Sequence, residues 1–467
     1  MTTFDTIVVG AGISGLATAH RLRKLSRSVA IVDAGAVAGG VIGTRRRDGF
    51  LYELGPNSTL DTTPLINALL SDLGIANERV DANAVAATRY IVRDGRLVPL
   101  PGSPGAFFST KAFTLPAKLR LLREPFIART KTGVDESIAT FVRRRLGNEF
   151  LDYAIDPFVA GIYAGDPERI SVAAAFPKLL ALEQGYGSLI KGQIVGARAR
   201  RTNKEVAKNV AASFSFRGGM QTLTDALAKA LPPIDYGTTV QRVVRDADVG
   251  FAVEGIRNGA PVVWHAHSVV LAAPAYATAA MIAGIAPDAA GALAGVEYAP
   301  IAVVASAYRR SDVAHSLAGF GFLVPKREHR HILGCLFSSS MFEGRAPEGS
   351  VLLTAFAGGR RNPEIASATD VEVATMVRAE LADRLGTHGT PPWQEVARWP
   401  QAIPQYDIGH LDRMRRIDAA EAAVPGLYFC ANYRGGVAVG DRIKMGQSTA
   451  EQVDAFVTGR PATTDAR

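Results

Sequence analysis

Cysteine is scarce. Two in 467 residues, Cys335 and Cys430, cannot build a disulfide framework and are expected to be buried thiols in a reducing compartment. The eight histidines show no metal-binding spacing; His329 and His331 flank Arg330 in a polar turn and read as surface residues, so no metal site is expected. The opening MTTFD has no basic segment ahead of an apolar run, so no secretory signal is expected. Long hydrophobic runs are missing too. The longest weakly charged stretch, residues 266–296, is broken by Pro274, Pro287 and Asp288 and reads as a strand followed by helices rather than a membrane span. There are no internal repeats, and the only low-complexity segment is a polar tail after Gly459. Acids are the minority charge, which leaves a net charge of +8. That balance suits nucleic acid, an anionic membrane or an acidic ligand. The basic residues are spread out and form no nucleic-acid motif, which excludes the first and leaves a membrane surface open. At 48% hydrophobic and 21% charged the chain is globular, and its length calls for two or three lobes.

What is present begins with TIVVGAGISGLATAHRLRKL, residues 6–25. Residues 6–9 read as a buried parallel strand, and Leu16, Ala19 and Leu22 mark one side of a following helix. Between them Gly10, Gly12 and Gly15 form G-x-G-x-x-G. Gly10 permits the tight turn, Gly12 lets a pyrophosphate approach the backbone, and Gly15 lets the helix lie close on the strand. The intervening Ala11, Ile13 and Ser14 complete a loop whose N–H groups face the phosphates at a helix N-terminus. A second strand, residues 28–32, ends at Asp33, followed by Ala34. A carboxylate there accepts hydrogen bonds from adenosine ribose and repels a 2′-phosphate, which disfavours NADP.

A double glycine, Gly39-Gly40, follows, and a strand over residues 50–54 runs into Gly55, Pro56, Asn57 and Ser58. This pattern resembles FAD-dependent oxidoreductases of the amine oxidase type. Many of these carry an arginine soon after the double glycine. Here Val41 stands there, and arginines come only at Arg45, Arg46 and Arg47, which leaves open which of them approaches the pyrophosphate. Further on, residues 63–73 read as a helix and residues 89–93 and 97–100 as a strand pair turning at Asp94-Gly95. Residues 100–130 mix apolar residues (Phe107, Phe108, Phe113, Leu115, Leu119, Leu121, Leu122, Phe126, Ile127) with Lys111, Lys118, Arg120, Arg123 and Arg129, against one acid, Glu124. Such a segment either lies in a membrane interface or packs its apolar residues into a helical lobe. Residues 138–205 look helical, with turns at Asp156-Pro157, 165–167 and 185–187. Residues 216–231 read as a glycine turn opening a helix, and 236–244, 251–256 and 268–272 as strands. Strand-like runs over 301–356 suggest an antiparallel sheet; a helix over 370–385 follows. The chain ends with a strand, a turn at Gly435-Gly436 and a helix near Ile443.

Four stretches together resemble one family, the protoporphyrinogen oxidases: DPFVAGIYAGDPERISVAAAFPKL (156–179), LAGFGFLVP with HILGCLFSSSMFEGRAP (317–347), RWPQAIPQYDIGH (398–410) and ANYRGGVAVGD (431–441). The resemblance implies an α/β fold: a Rossmann-like FAD-binding domain from residues 1–84, 214–274 and 420–467, an α+β substrate domain from 85–98 and 275–419, and a helical, membrane-associated lobe over 99–213. It implies FAD as cofactor, a porphyrinogen and O2 as partners, and six-electron oxidation of protoporphyrinogen IX to protoporphyrin IX with three H2O2 formed. Flavin N5 is the hydride acceptor. The pyrrole nitrogens supply the electron push, so no catalytic side chain is nominated and none of the usual serine, cysteine or histidine constellations is visible.

By the same resemblance, Arg89 in TRYIVRDG is expected to pair with a propionate, for which a guanidinium fork is suited. Phe337 is expected to stack on a pyrrole ring, and Val304 stands where the family carries a bulkier leucine on the opposite wall. Gly161 is expected close to flavin and substrate, where a side chain would intrude. Val240 offers backbone groups to the adenine; Tyr163 and Trp399 belong to the cavity or flavin wall; Val437, Ala438 and Val439 lead into a helix whose N-terminus faces the flavin carbonyl edge. The alternatives are a coproporphyrinogen III oxidase, a different flavin amine oxidase, and a non-catalytic relative of the GDP-dissociation inhibitors. A bacterial protein on the cytoplasmic side of a membrane is expected, with a homodimer left open.

Overall fold

A computed structural model describes residues 3–131, 133–200 and 211–459; the final turn of the helix expected over 138–205 and the polar tail lie outside them. The strand expected over 6–9 runs Thr3–Val9. It lies parallel to Val29–Val32 on one edge and to the second half of the long strand Ala260–Leu271 on the other. That long strand also carries Leu427–Phe429 in parallel and, along its first half, the antiparallel hairpin Thr238–Asp246 and Gly250–Arg257. Alternation puts Ile7 and Val9 into one apolar layer with Val269 and Leu271, and Val8 into the other with Leu16, Leu22 and Val270. Helix Ile13–Lys24 packs against the last helix, Val439–Thr458, closely enough that a Cβ on Gly446 would sit 3.0 Å from the Thr18 nitrogen. The stretch 266–296 is the end of a strand followed by helices Ala275–Ile282 and Pro287–Ala294.

A seven-stranded sheet forms a second layer system. Its order is Trp393–Pro404, Tyr298–Arg309, Ser350–Gly358, Ile332–Leu336, Gly321–Leu323, Arg89–Arg93, Arg96–Pro99. All neighbours are antiparallel except Gly321–Leu323 against Arg89–Arg93. Helix Asp370–Leu385, started by a Thr369/Glu372 capping box, covers one face. Helix Asp156–Tyr163 meets the other through Ala160, beside Ile301, Val303 and Leu333. Two expectations are corrected. Asp156-Pro157 is not a turn: proline, which needs no N–H partner in a first turn, starts that helix. The strand beginning at Ile332 ends at Leu336, and Ser338–Met341 is a short helix.

The helical part meets the seven-stranded sheet through helix Asp156–Tyr163. Residues 100–130 pack only some of their apolar residues inward. Phe113 is buried and stacks on Phe150 at 4.3 Å, whereas Phe108 and Phe126 remain 72% and 86% exposed. Glu124 is fully buried. It accepts from the Leu189 N–H (2.9 Å) and pairs with the fully buried Arg145 (3.1 Å), which also holds Glu183 (2.5 Å). No helix among the described residues is long and apolar enough to cross a membrane.

A second buried ion pair joins the two-stranded sheet Thr44–Arg47/Phe50–Glu53 to the segment that follows the short helix Ser338–Met341. Glu53, at the end of strand Phe50–Glu53, meets Arg345 at 2.9 Å and accepts from Thr44 Oγ1 (2.6 Å) and the Met220 N–H (2.9 Å). Arg345 also donates to Ser215 Oγ at 2.5 Å. Burial nonetheless pushes the Glu53 carboxyl up and the Arg345 guanidinium down from their ordinary values. Arg345→Met leaves that carboxylate buried without its counter-ion and is expected to cost about 3–5 kcal/mol in chemical denaturation. The double variant Glu53→Leu/Arg345→Met is expected to recover most of the loss, since no unpaired charge remains.

Candidate active site

The glycine turn divides its labour. Gly10 leaves the strand at φ +111°, and a Cβ there would lie 2.9 Å from the Ala272 carbonyl carbon; one on Gly15 would lie 1.9 Å from the Gly10 oxygen. A Cβ on Gly12 would meet nothing within 4 Å. Gly10 and Gly15 therefore serve packing, while Gly12 keeps clear a space that a bound group can fill. Helix Ile13–Lys24 opens at Gly12 without a side-chain cap and without an acid in its first turn, which leaves its N–H groups to an anion. Ser14 lies buried in that turn.

Asp33 locks the neighbouring turns. Its two oxygens accept from the Ala11 and Gly35 N–H groups, each at 2.6 Å, beside the exposed Ala34. The remaining lone pairs are left for hydroxyl donors. The Gly39 N–H donates to Ala11 O (2.9 Å), which brings Gly40, at φ +61°, against Gly12. On the other side the Asp33 N–H donates to Asp235 O (3.0 Å) and the Thr238 N–H to Asp33 O (2.9 Å). Val240 follows on the outermost strand of the sheet, at a bulge. An uncapped helix end, an open glycine and a fixed carboxylate fit an adenine dinucleotide.

The other expected cofactor residues come from separate parts of the chain. Trp399 Nε1 donates to Leu54 O (2.7 Å), immediately before Gly55-Pro56-Asn57-Ser58. A Cβ on Gly55 would collide with Val41 O at 2.2 Å; Asn57 Nδ2 donates back to Gly55 O (3.1 Å), and Ser213 Oγ reaches Ser58 Oγ (3.1 Å). Of the three arginines nearby, Arg47 is engaged by the Trp393 ring (5.4 Å) and Glu395 (3.8 Å). From the C-terminal side, Gly435 and Gly436 turn at positive φ, and Val437 leads to Ala438, the residue that opens the helix beginning at Val439.

The expected substrate residues fall into two sets. Gly161, exposed on helix Asp156–Tyr163, lies against Leu323, whose Cδ2 would be 3.0 Å from an added Cβ. In the sheet Gly321 lies opposite Arg89 and Leu323 opposite Ile91. Tyr90, Val92 and Phe322 point into the helix-covered core, so the exposed Arg89 shares the other face with Leu323. Its guanidinium lies 5.2 Å over the Phe320 ring. Val304 and Phe337 stand elsewhere. Both are fully buried in the helix-covered core, Phe337 against Tyr90, His315 and Phe322. The reason is alternation: on its strand Val303, not Val304, faces helix Asp156–Tyr163. Leu323 and Val303, which lie beside helix Asp156–Tyr163, were not singled out from the sequence. The alternation in GFGFLVP held the signal for Leu323.

Residues 13–454 match the family described as flavin containing amine oxidoreductase. The chain is 33% identical to protoporphyrinogen oxidase 2, chloroplastic/mitochondrial, of Arabidopsis thaliana, over 96% of its own length and 94% of the relative's. It is 29% identical to coproporphyrinogen III oxidase of Bacillus subtilis (strain 168), over 97% and 98%. A crystal structure from Exiguobacterium sp. 255-15 shares the fold with a TM-score of 0.79 at 24% identity, covering 97% of this chain and 99% of that one. The glycine geometry then yields a test in two arms. Gly12→Ala is expected to leave the unfolding temperature of the apoprotein unchanged and to abolish FAD retention on gel filtration, whereas Gly15→Ala is expected to destabilise the fold itself. With the open glycine, the uncapped helix, the fixed Asp33 carboxylate and this likeness in hand, the chain belongs to the flavin-containing amine oxidoreductases and, among them, to the protoporphyrinogen oxidase family of FAD-dependent enzymes.

Proposed function

We propose that the protein oxidises protoporphyrinogen IX to protoporphyrin IX, removing six electrons and six hydrogens, with three O2 reduced to three H2O2. The observation that carries this reading is a convergence. The four family-like stretches, far apart in sequence, meet at one place: Gln405 Nε2 donates to Tyr163 O (2.7 Å), the Tyr406 hydroxyl donates to Asn432 O (2.7 Å), and Gly161 packs on Leu323. When bound, FAD supplies the two-electron acceptor for each of the three oxidations. The chain's own residues bind and orient. The loop from Gly10 to Gly15, with Asp33, holds the dinucleotide; Arg89 takes a propionate; Gly161 and Leu323 leave a flat apolar wall for the macrocycle.

A second reading, coproporphyrinogen III as substrate, is favoured by the Bacillus relative, whose identity is only slightly lower. The two differ in carboxylate count, so cations around the wall decide between them. Anaerobic flavin reduction measured with each porphyrinogen is expected to be faster with protoporphyrinogen IX; the reverse order would move the assignment to the tetracarboxylate. Arg89→Ala is expected to raise KM about 10-fold or more, as for a lost charge-assisted hydrogen bond, with FAD content unchanged.

The same reading includes peripheral membrane contact through residues 100–130. Leu115, Leu119, Leu122 and Phe126 are between 53% and 86% exposed, with Lys111 and Arg123 exposed near them. An apolar row with basic flanks suits an anionic lipid surface. Leu122→Glu/Phe126→Glu is expected to abolish co-flotation with anionic liposomes while leaving solution turnover intact. Wild-type protein that stays off the liposomes would refute the contact.

A further inference from the structure

The motif RWPQAIPQYDIGH contributes Trp399 to the site as described, and its second half holds a cluster of buried, hydrogen-bonded polar residues. Tyr406 is 2% exposed. Its hydroxyl donates to Asn432 O (2.7 Å) and accepts from the Gly436 N–H (3.0 Å). Its ring stacks on His410 at 4.2 Å, 13° from parallel, and His410, also 2% exposed, uses Nε2 toward Tyr433 O (2.9 Å). The backbone of Tyr406 is fixed in turn, its carbonyl accepting from the Ser171 N–H (2.9 Å). From the opposite side the buried Arg442 donates to Ala431 O (2.5 Å) and Arg434 O (2.6 Å).

Every carbonyl from Ala431 to Arg434 is thus taken by a buried side chain. This is unusual for a connecting loop, whose backbone groups ordinarily turn to water. The loop has one evident product: it sets where Gly436 turns, and so where the helix Val439–Thr458 begins. The partial positive charge of that helix end acts only over a turn or so, so its value to a bound ring depends on placement to within about an ångström.

We propose that Tyr406 and His410 are positioning residues that hold the turn 431–436, and through it the N-terminus of the last helix, against the carbonyl edge of the isoalloxazine ring. The inference rests on the flavin placement given above. The two residues touch neither substrate nor flavin; they act through the loop. A positively polarised helix end favours the reduced, more negative ring, so loosening it lowers both affinity and potential.

The test uses purified holoenzyme carrying Tyr406→Phe, which keeps the ring stack and removes the hydroxyl, and His410→Phe, which keeps the stack and removes the Nε2 contact. FAD affinity is measured by titrating apoprotein, the midpoint potential by dye equilibration, and the flavin absorption envelope is recorded. Each variant is expected to bind FAD several-fold more weakly, roughly three- to ten-fold for one buried hydrogen bond. The potential is expected to move negative and the flavin bands to shift, with kcat falling and KM for the porphyrinogen unchanged. A merely structural role predicts a lower unfolding temperature with affinity, potential and spectrum at wild-type values, and that result overturns the proposal. If Tyr406→Phe does not fold, His410→Phe carries the same decision. A wild-type protein that purifies colourless and takes up no FAD would sink the flavin placement itself; yellow wild type with indifferent variants sinks only the role of Tyr406 and His410.

Discussion

The cofactor lobe depends on one strand. Ala260–Leu271 is paired along its whole length: the 250–257 hairpin arm and then Leu427–Phe429 on one edge, Thr3–Val9 on the other. Three parts of the chain, separated by hundreds of residues, are brought into register by it. The glycine turn is also cut to its end. The Ala272 N–H donates to Val9 O (2.8 Å), and a Cβ on Gly15 would press on the Ala272 side chain at 3.1 Å as well as on Gly10. Closing loops this long is entropically slow but adds little per residue once the strand is there to receive them. The nucleotide groove is then a consequence of strand order, since the first helix leaves the sheet where its neighbours end.

Much of this was legible in the sequence because each signal was local. A β-branched run, three spaced glycines, a helical apolar stripe and an acid at a strand end are decided within 30 residues, and the structure returns both strands, with Asp33 directly after the second, and the helix. The facing of the seven-stranded sheet was less legible. The sheet is covered by helix Asp370–Leu385 on one face and met by helix Asp156–Tyr163 on the other, so both sets of alternating residues are apolar. IAVVASAY therefore carries no polar face from which to choose Val303 over Val304. The surroundings of Phe337 were hidden for a related reason: it follows a strand and opens a short helix, and aromatic neighbours from three separate segments, Tyr90, His315 and Phe322, surround its ring.

Hydrogen-bond staples across the chain could not be read at all. Nothing in PQYDIGH announces that a tyrosine hydroxyl will span Asn432 and Gly436, or that Gln405 Nε2 will reach the carbonyl of Tyr163. Such bonds are properties of the assembled fold, and their partners differ in sequence position by 26, 30 and 242 residues. They are nonetheless what fastens three of the four separated stretches to one another. An unmade buried hydrogen bond costs more than a made one contributes, so each staple fixes position more strongly than it stabilises the fold.

The helical part shows how sorting of charge shapes a surface. Glu124, the one acid of residues 100–130, is drawn fully inside with Arg145, and Glu183 and Glu136 are buried against Arg144 and Arg145. Burying ions is expensive, and a pair of apolar residues would fill the same volume more cheaply. The network has a second effect that apolar residues would not give. It removes carboxylates from the outer face, where Lys111 and Arg123 stand exposed near Leu119, Leu122 and Phe126. At ordinary salt the field of an exposed charge fades within about 8–10 Å, so the sign of that face is set by the charges on it and not by the protein's total. An overall excess of basic residues would be compatible with many surfaces; acids turned inward beneath an apolar, basic face make one particular surface cationic.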